Sequence, residues 1–233
     1  MRTILILSLA LTMGCKDKPK RQNPPANIGS AATAPGSAGS AATGELQLPK
    51  GDGTPPKKTT APHTKADYER LSKLEFPGFG ALVRTVGEKV FEVRHITRDR
   101  PKLWATVTIS HCFECVPMEL DKWKAKTEDL KLFLGDLKKS PDVDFEVGEL
   151  KLNGAPVIFT HQVGTSAGSN EAGGTFGYTN ALVAYYHDGI NQIRVVAEYK
   201  DDPVKKEDLL KVIPKADLAK VALAFIDAYT HAW

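Results

Sequence analysis

Two cysteines three residues apart, Cys112 and Cys115, are the residues of this sequence best suited to carry chemistry. The Cys-x-x-Cys spacing lets the pair form a short disulfide, exchange disulfides as a redox pair, or ligate a metal ion. The residues before the pair alternate like a strand, and Pro117 suits the first turn of a helix. The sequence therefore places the pair at a strand-to-helix corner.

This placement resembles the active site of thioredoxins, where the N-terminus of a helix lowers the pKa of a thiol and makes it a nucleophile. Pro156, before the predicted strand Val157–Phe159, matches the place of the thioredoxin cis-proline. The resemblance implies an envelope thiol-disulfide oxidoreductase that uses Cys112 and Cys115.

Three features favour a structural disulfide instead. Glu114 puts a carboxylate beside the thiols, which disfavours a thiolate. His111 stands where thioredoxins usually have tryptophan, and Asn153-Gly154 predicts a direct antiparallel hairpin where thioredoxin topology needs a crossover. The main interpretation is therefore a Cys112–Cys115 disulfide in an oxidising compartment, with the oxidoreductase as the alternative.

A metal site is the third interpretation of the pair. It would combine His111, Cys112 and Cys115 with a fourth ligand, either His161 or His187, in the tetrahedral arrangement that zinc adopts. A lone His-Cys-x-x-Cys is only a weak indication of a metal site. It is also not the haem attachment motif, in which the histidine follows the second cysteine. The histidines of the predicted strands are expected to be sheet-face residues and not a cluster.

No further catalytic site is predicted. The sequence contains no phosphate-binding loop, dinucleotide fingerprint or His-Glu-x-x-His motif. The strand aromatics are interpreted as core packing in preference to a binding face: Trp104, Tyr185, Tyr186 and Tyr199. We expect no catalytic residue, no cofactor and no metal.

Residues 1–14 have the organisation of a secretory signal peptide. Arg2 supplies a positive start, and an apolar run from Ile4 to Leu11 follows it. A bilayer-spanning helix needs about 20 apolar residues, so this run is too short to cross a membrane. The chain is therefore predicted to be exported.

The signal ends in Leu11-Thr12-Met13-Gly14-Cys15, which resembles the bacterial lipobox. Gly14 and Cys15 match that pattern, whereas Thr12 stands where leucine is usual. The resemblance implies cleavage before Cys15 and acylation of this cysteine, which would anchor the protein to the cell envelope. Lys16 replaces the aspartate that retains lipoproteins in the inner membrane of enteric bacteria, which favours the outer membrane and the periplasm.

Residues 15–66 are predicted to be the lipidated cysteine and a disordered tether. The segment is rich in Gly, Ala, Ser and Pro, and its apolar surface is too small to offset the entropy of ordering.

Basic residues predominate in the tether, whereas acidic residues slightly outnumber basic ones in 67–233. The net charge of +3 gives no electrostatic case for nucleic acid, and a basic tether suits anionic lipid headgroups.

Residues 67–233 are predicted to fold as one domain. Asn153-Gly154 and Asp188-Gly189 predict two hairpins, and 164–177 reads as a long loop. Alternating residues predict strands at Leu82–Val86, Lys89–Thr97, Leu103–Ser110, Phe145–Leu152, Ala155–Val163, Ala181–His187 and Ile190–Tyr199. Apolar residues at helical spacing predict helices at Asp67–Leu74, Pro117–Lys138 and Lys205–Val212, and from Pro214 or Asp217 to the C-terminus.

These hairpins predict an α+β fold, with an antiparallel sheet packed by two main helices. The element order, the Leu152–Pro156 turn and the C-terminal helix resemble the PsbP-like fold over residues 76–232. That fold is known from photosystem accessory proteins and bacterial lipoproteins, and the resemblance implies a non-enzymatic binding or assembly module. The expected partners are the membrane, through the lipid anchor, and an unidentified envelope protein or ligand.

Overall fold

A computed structural model describes residues 47–98, 103–113, 115–126, 144–165, 178–199 and 206–233. The predicted signal peptide, Cys15 and most of the predicted tether lie outside the described residues. So do the predicted helix beyond Lys126 and the loop residues 166–177. In the described ranges, no helix combines the length and the apolar character needed to cross a membrane.

The domain is built on one seven-stranded sheet in the order β1-β2-β3-β7-β6-β5-β4, and every neighbouring pair is antiparallel. The strands are β1 (Phe79–Val86), β2 (Val90–Thr97), β3 (Leu103–His111), β4 (Asp144–Leu152), β5 (Ala155–Thr165), β6 (Tyr178–His187) and β7 (Asn191–Tyr199). The prediction of an antiparallel α+β fold built from hairpins is therefore confirmed.

Both predicted hairpin turns form. Asn153 and Gly154 join β4 to β5 with φ angles of 48° and 88°, the left-handed values that a two-residue hairpin requires. At the β6–β7 turn, Gly189 has φ 99°, and the Asp188 carboxylate accepts the backbone N–H groups of Ile190 and Asn191 at 2.8 and 2.9 Å. Local turn chemistry thus sets the register of both hairpins.

The helices are α1 (Lys65–Leu71), α2 (Leu120–Lys126), α3 (Lys206–Val212) and α4 (Lys215–Ala232). Thr64 and Asp67 form a reciprocal capping box, so α1 begins two residues before the predicted start. Of these helices α4 has 18 residues and the others have seven each. Among the described residues the fold therefore has one long helix, where two main helices were predicted.

Helix α4 covers one face of the sheet, which we call the inner face, and contacts β3, β6 and β7 there. Apolar side chains line up across the strands of this face, for example in the row Val93, Val107, Val195, Ala184 and Phe159. All five are buried. The opposite, outer face carries α2, whose Trp123 ring lies 6.4 Å from that of Tyr185.

Residues 47–63 form neither helix nor strand, yet they pack along the domain. Pro56 and His63 are buried, the Trp233 indole donates to the Lys57 carbonyl at 3.0 Å, and the His63 N–H donates to the Asn191 side chain at 2.9 Å. Residues 47–63, which lie inside the segment predicted as tether, thus pack against the domain. Side chains of distant elements pair with this backbone, and no local pattern encodes such contacts.

Candidate functional site

The structure brings Cys112, Cys115 and His187 together, and we call them the Cys–His cluster. One potential ligand atom from each residue lies within 4.8 Å of the others, and all three residues are half-buried. The two cysteine Cα atoms are 5.3 Å apart, a separation that a disulfide spans, and the sulfur atoms are in contact. The structure therefore brings the two predicted cysteines together and places a histidine beside them.

Sheet register explains why His187 is the histidine that reaches the pair. Ser110 in β3 and His187 in β6 both pair with Gln192 of the intervening β7, so their side chains share the outer face. Cys112 lies two residues beyond Ser110, and its N–H continues the ladder by donating to the Ile190 carbonyl at 2.9 Å. The chain that follows β3 thus places Cys112 next to the end of β6.

The tautomer of His187 follows from its contacts. Nε2 lies 2.7 Å from the Val116 carbonyl oxygen. Because a carbonyl only accepts, Nε2 carries the proton in the neutral imidazole, and Nδ1 then has a free lone pair. Nδ1 is buried and finds no hydrogen-bond partner among the described residues. Such a nitrogen can accept a proton from a thiol or donate its lone pair to a metal ion.

The other proposed metal ligands lie elsewhere. His111 turns its Nε2 to the His63 carbonyl oxygen at 2.9 Å, and its ring lies 5.6 Å from that of Phe113. His161 pairs with Leu182 on the inner face and contacts the Asn180 side-chain oxygen at 2.8 Å. Of the histidines considered from the sequence, only His187 joins the cysteines.

The topology around the pair differs from that of thioredoxins. β3 lies between β2 and β7 and runs antiparallel to both. Pro156 pairs with Lys151 in the β4–β5 hairpin, as the Asn153-Gly154 turn predicts. The described sheet contains no parallel pair, so the crossover that positions a thioredoxin active site is not present in it.

Residues 164–168, Gly-Thr-Ser-Ala-Gly, have the Gly-x-Ser-x-Gly spacing of a hydrolase nucleophile turn. That turn needs a strand followed by a helix. Gly164 lies near the end of β5, and the next described element is strand β6, antiparallel to β5. Ser166 itself lies outside the described residues.

A second group of polar residues, unpredicted from the sequence, joins the N-terminal segment to the end of α4. His231 Nε2 lies 2.8 Å from the Thr54 hydroxyl and 3.1 Å from the Asp52 carboxylate, while Nδ1 lies 3.1 Å from the Asp227 carboxylate. The Thr54 hydroxyl donates to Asp52 at 2.6 Å, so its proton is directed to a carboxylate and away from the imidazole. We interpret these four residues as a structural clamp that holds the N-terminal segment against α4.

The two carboxyl groups of this clamp have shifted pKa values of opposite sign. Burial raises the pKa of Asp227, which lies on α4 with its carboxylate against the N-terminal segment. Hydrogen bonds from the Thr54 side chain and backbone lower the pKa of the exposed Asp52. No local signal marks these residues, because the histidine is 177 residues from its threonine partner.

The strand aromatics do not form one binding face. Tyr186 and Tyr199 are buried on the inner face, whereas Tyr185 lies on the outer face against Trp123. The guanidinium of Arg94 lies 4.6 Å from the Trp104 ring centre. Packing thus accounts for these side chains, as the sequence suggested.

Substituting Gly51 with alanine is expected to lower the free energy of unfolding by about 1–3 kcal/mol, the usual range for overpacking. A Cβ at Gly51 would overlap the carboxylate of Asp227, which the clamp holds in place. Chemical denaturation followed by circular dichroism measures the change.

Gly80→Ala is the matched control, since the nearest atom to its added Cβ is 3.9 Å away. Equal stabilities of the G51A and G80A variants would show that the N-terminal segment does not pack against α4 as described.

Comparisons of this chain with protein-family models, with curated proteins and with solved structures find no match. The candidate site is therefore defined by its own geometry, with the Cys–His cluster as its chemical centre.

Proposed function

We propose that this chain is an exported lipoprotein, anchored to the bacterial cell envelope through acylated Cys15, whose α+β domain is a non-enzymatic binding or assembly module. The observation that carries the anchor is the lipobox-like sequence ending in Gly14-Cys15, directly after an apolar run. Lys16 supports the outer membrane, facing the periplasm, as its location. A structural disulfide between Cys112 and Cys115 suits that oxidising compartment.

We assign the domain to the PsbP-like fold. The antiparallel sheet built from hairpins supports this assignment, as does the long C-terminal helix α4 across its inner face. Members of that fold class mostly bind or assemble with other components, which is the basis for proposing the same role here.

The edge strand β1 supports a binding role. β1 pairs only with β2, so its other edge has no strand partner among the described residues. Its Leu82 and Val83 side chains are 54% and 44% exposed. A partner strand pairs with the unpaired N–H and C=O groups of a sheet edge, and exposed apolar side chains on that edge add contacts.

Metabolic labelling with a palmitate analogue tests the anchor. The full chain expressed in a Gram-negative bacterium is expected to incorporate the label and to fractionate with membranes. Cys15→Ser should abolish both, whereas the matched variant Cys112→Ser should keep both. Labelling that persists in the C15S variant would contradict the proposal.

Site-specific photo-crosslinking tests the binding role. A photoreactive residue at Val83 is expected to give a discrete crosslinked product in intact cells, and the same residue at Leu210, which is 40% exposed on α3, serves as the control. Identical products from both positions, or none from Val83, would contradict a partner at β1.

A thiol-disulfide oxidoreductase is the second candidate function, and the free Nδ1 of His187 favours it. That nitrogen can accept the proton of a neighbouring thiol, which would leave a thiolate to attack a substrate disulfide. That attack forms a mixed disulfide and releases one substrate thiolate. The second cysteine thiolate then attacks the mixed disulfide, releases the other substrate thiolate and leaves the Cys112–Cys115 disulfide.

A disulfide-reductase assay and a redox titration of the purified chain separate the two functions. Turnover together with a reduction potential more oxidising than about −250 mV would favour the oxidoreductase. Absence of turnover with a lower potential would leave a structural disulfide as the role of the pair.

A further inference from the structure

We propose that the reduced Cys–His cluster is a zinc-binding site in which Cys112 Sγ, Cys115 Sγ and His187 Nδ1 are the protein ligands. The inference does not rest on the lipid anchor or on the binding role, and zinc binding is an alternative to the structural disulfide proposed above. It concerns the chain with both thiols reduced, because a disulfide removes two of the three ligands.

The separations suit one metal ion. Zinc bonds of about 2.3 Å to sulfur and about 2.0 Å to nitrogen place tetrahedral ligand atoms roughly 3.5–3.8 Å apart. The three ligand atoms already lie within 4.8 Å of one another. Rotation of the cysteine side chains would set this spacing, since Cys112 directly follows β3 and His187 ends β6.

His187 has the second contact that a metal-ligating histidine needs. Its Nε2–H donates to the Val116 carbonyl at 2.7 Å, which orients the ring and leaves the lone pair on Nδ1. Nδ1 is buried without a hydrogen-bond partner among the described residues. Burying a nitrogen lone pair unsatisfied is unfavourable, and a metal bond at this atom would remove that penalty.

The types of ligand atom, two thiolate sulfurs and one imidazole nitrogen, indicate which metal ion the site would bind. Thiolate and imidazole ligands favour zinc over magnesium or calcium, which prefer oxygen. Binding forms two Zn–S bonds and one Zn–N bond and releases the two thiol protons to solvent. With three protein ligands, water completes the tetrahedron, as in zinc sites that keep one open position.

Cobalt substitution and competition with a zinc chelator test the site. The full chain carrying Cys15→Ser is used, because the sequence has three cysteines and this change leaves only the pair. After reduction with a phosphine, one equivalent of Co²⁺ is expected to give thiolate charge-transfer bands and tetrahedral d–d bands, which Zn²⁺ then removes. No stoichiometric binding, or octahedral Co²⁺ spectra, would overturn the proposal.

Two histidine variants separate a three-ligand site from a simple dithiol. His187→Gln is expected to weaken Zn²⁺ binding by roughly 10–100-fold, whereas the matched variant His111→Gln, next to the pair in sequence, should bind like the parent. Equal affinity in the H187Q variant and the parent would overturn the assignment of His187.

A measurement on the parent chain covers the case in which the H187Q variant fails to fold. Zinc is expected to shift the ¹⁵N resonance of His187 Nδ1 and to leave those of His111 unchanged. Unaltered His187 resonances at saturating Zn²⁺ would show that the imidazole is not a ligand.

Discussion

Replacing Phe225 with alanine is expected to lower the free energy of unfolding by about 3–5 kcal/mol, the range measured for buried aromatic residues. Phe225 lies on α4, is fully buried, and fills the space between the helix and the sheet. Its ring centre lies 5.1 Å from that of Phe76, 5.2 Å from that of Phe79 and 4.8 Å from that of His95. Truncation would remove these contacts and leave a cavity.

Urea denaturation monitored by circular dichroism measures this loss. Phe113→Ala is the matched control, because Phe113 is 72% exposed, and a change within about 0.5 kcal/mol is expected for it. A loss below about 1 kcal/mol in the F225A variant would mean that α4 does not pack on the inner face as described.

Acidification from pH 7 to pH 4 is expected to remove about 3 kcal/mol of stability through His95 alone. His95 is buried between the sheet and α4, where its ring stacks with Phe225 and its Nε2 lies 2.9 Å from the Tyr229 hydroxyl. Burial lowers the pKa of His95 to about 4, because the charged imidazolium is poorly solvated there.

The sign follows from proton uptake on unfolding. In the unfolded chain His95 has its ordinary pKa of about 6.5, so between pH 6.5 and pH 4 the unfolded state binds a proton that the folded state does not. The contribution is therefore fully present above pH 6.5 and falls by about 1.4 kcal/mol per pH unit down to about pH 4. Burial also lowers the pKa values of His63 and His161, which add to the loss in the same direction.

Unfolding free energies at several pH values test this prediction. His95→Gln is expected to flatten the pH dependence between pH 6.5 and pH 4, because an amide does not titrate there. Tyr229→Phe is the control, since it keeps the imidazole buried and should retain the slope. An unchanged slope in the H95Q variant would show that His95 is protonated in the folded state over this range.

Elements with local signals could be predicted from the sequence. Strands follow from period-two alternation, and the turn at Asn153-Gly154 follows from residues that tolerate left-handed φ angles. The observed start of a helix differs from the predicted one where capping determines it: α1 begins at Lys65 because Thr64 and Asp67 cap each other. Within the predicted tether, residues 47–63 lack apolar periodicity and yet pack through side-chain hydrogen bonds from distant elements.

The candidate site was predicted only in part. Cys112 and Cys115 were recognisable because their spacing is itself the signal. The histidine beside them could not be predicted, because His161 and His187 both lie in strands and the sequence gives no reason to prefer either one. Sheet order decides between them: β7 inserts between β3 and β6, and its register turns His187 towards the cysteines.

The sequence by itself determined the antiparallel α+β class, both hairpins and the two sulfur ligands, because turn chemistry and side-chain alternation act over a few residues. Only the tertiary structure decided that β3 pairs with β7, that His187 completes the Cys–His cluster, and that Asp227 and His231 hold the N-terminal segment. These contacts join residues far apart in the chain. Their free energy depends on burial and on the packing of α4, which no local pattern contains.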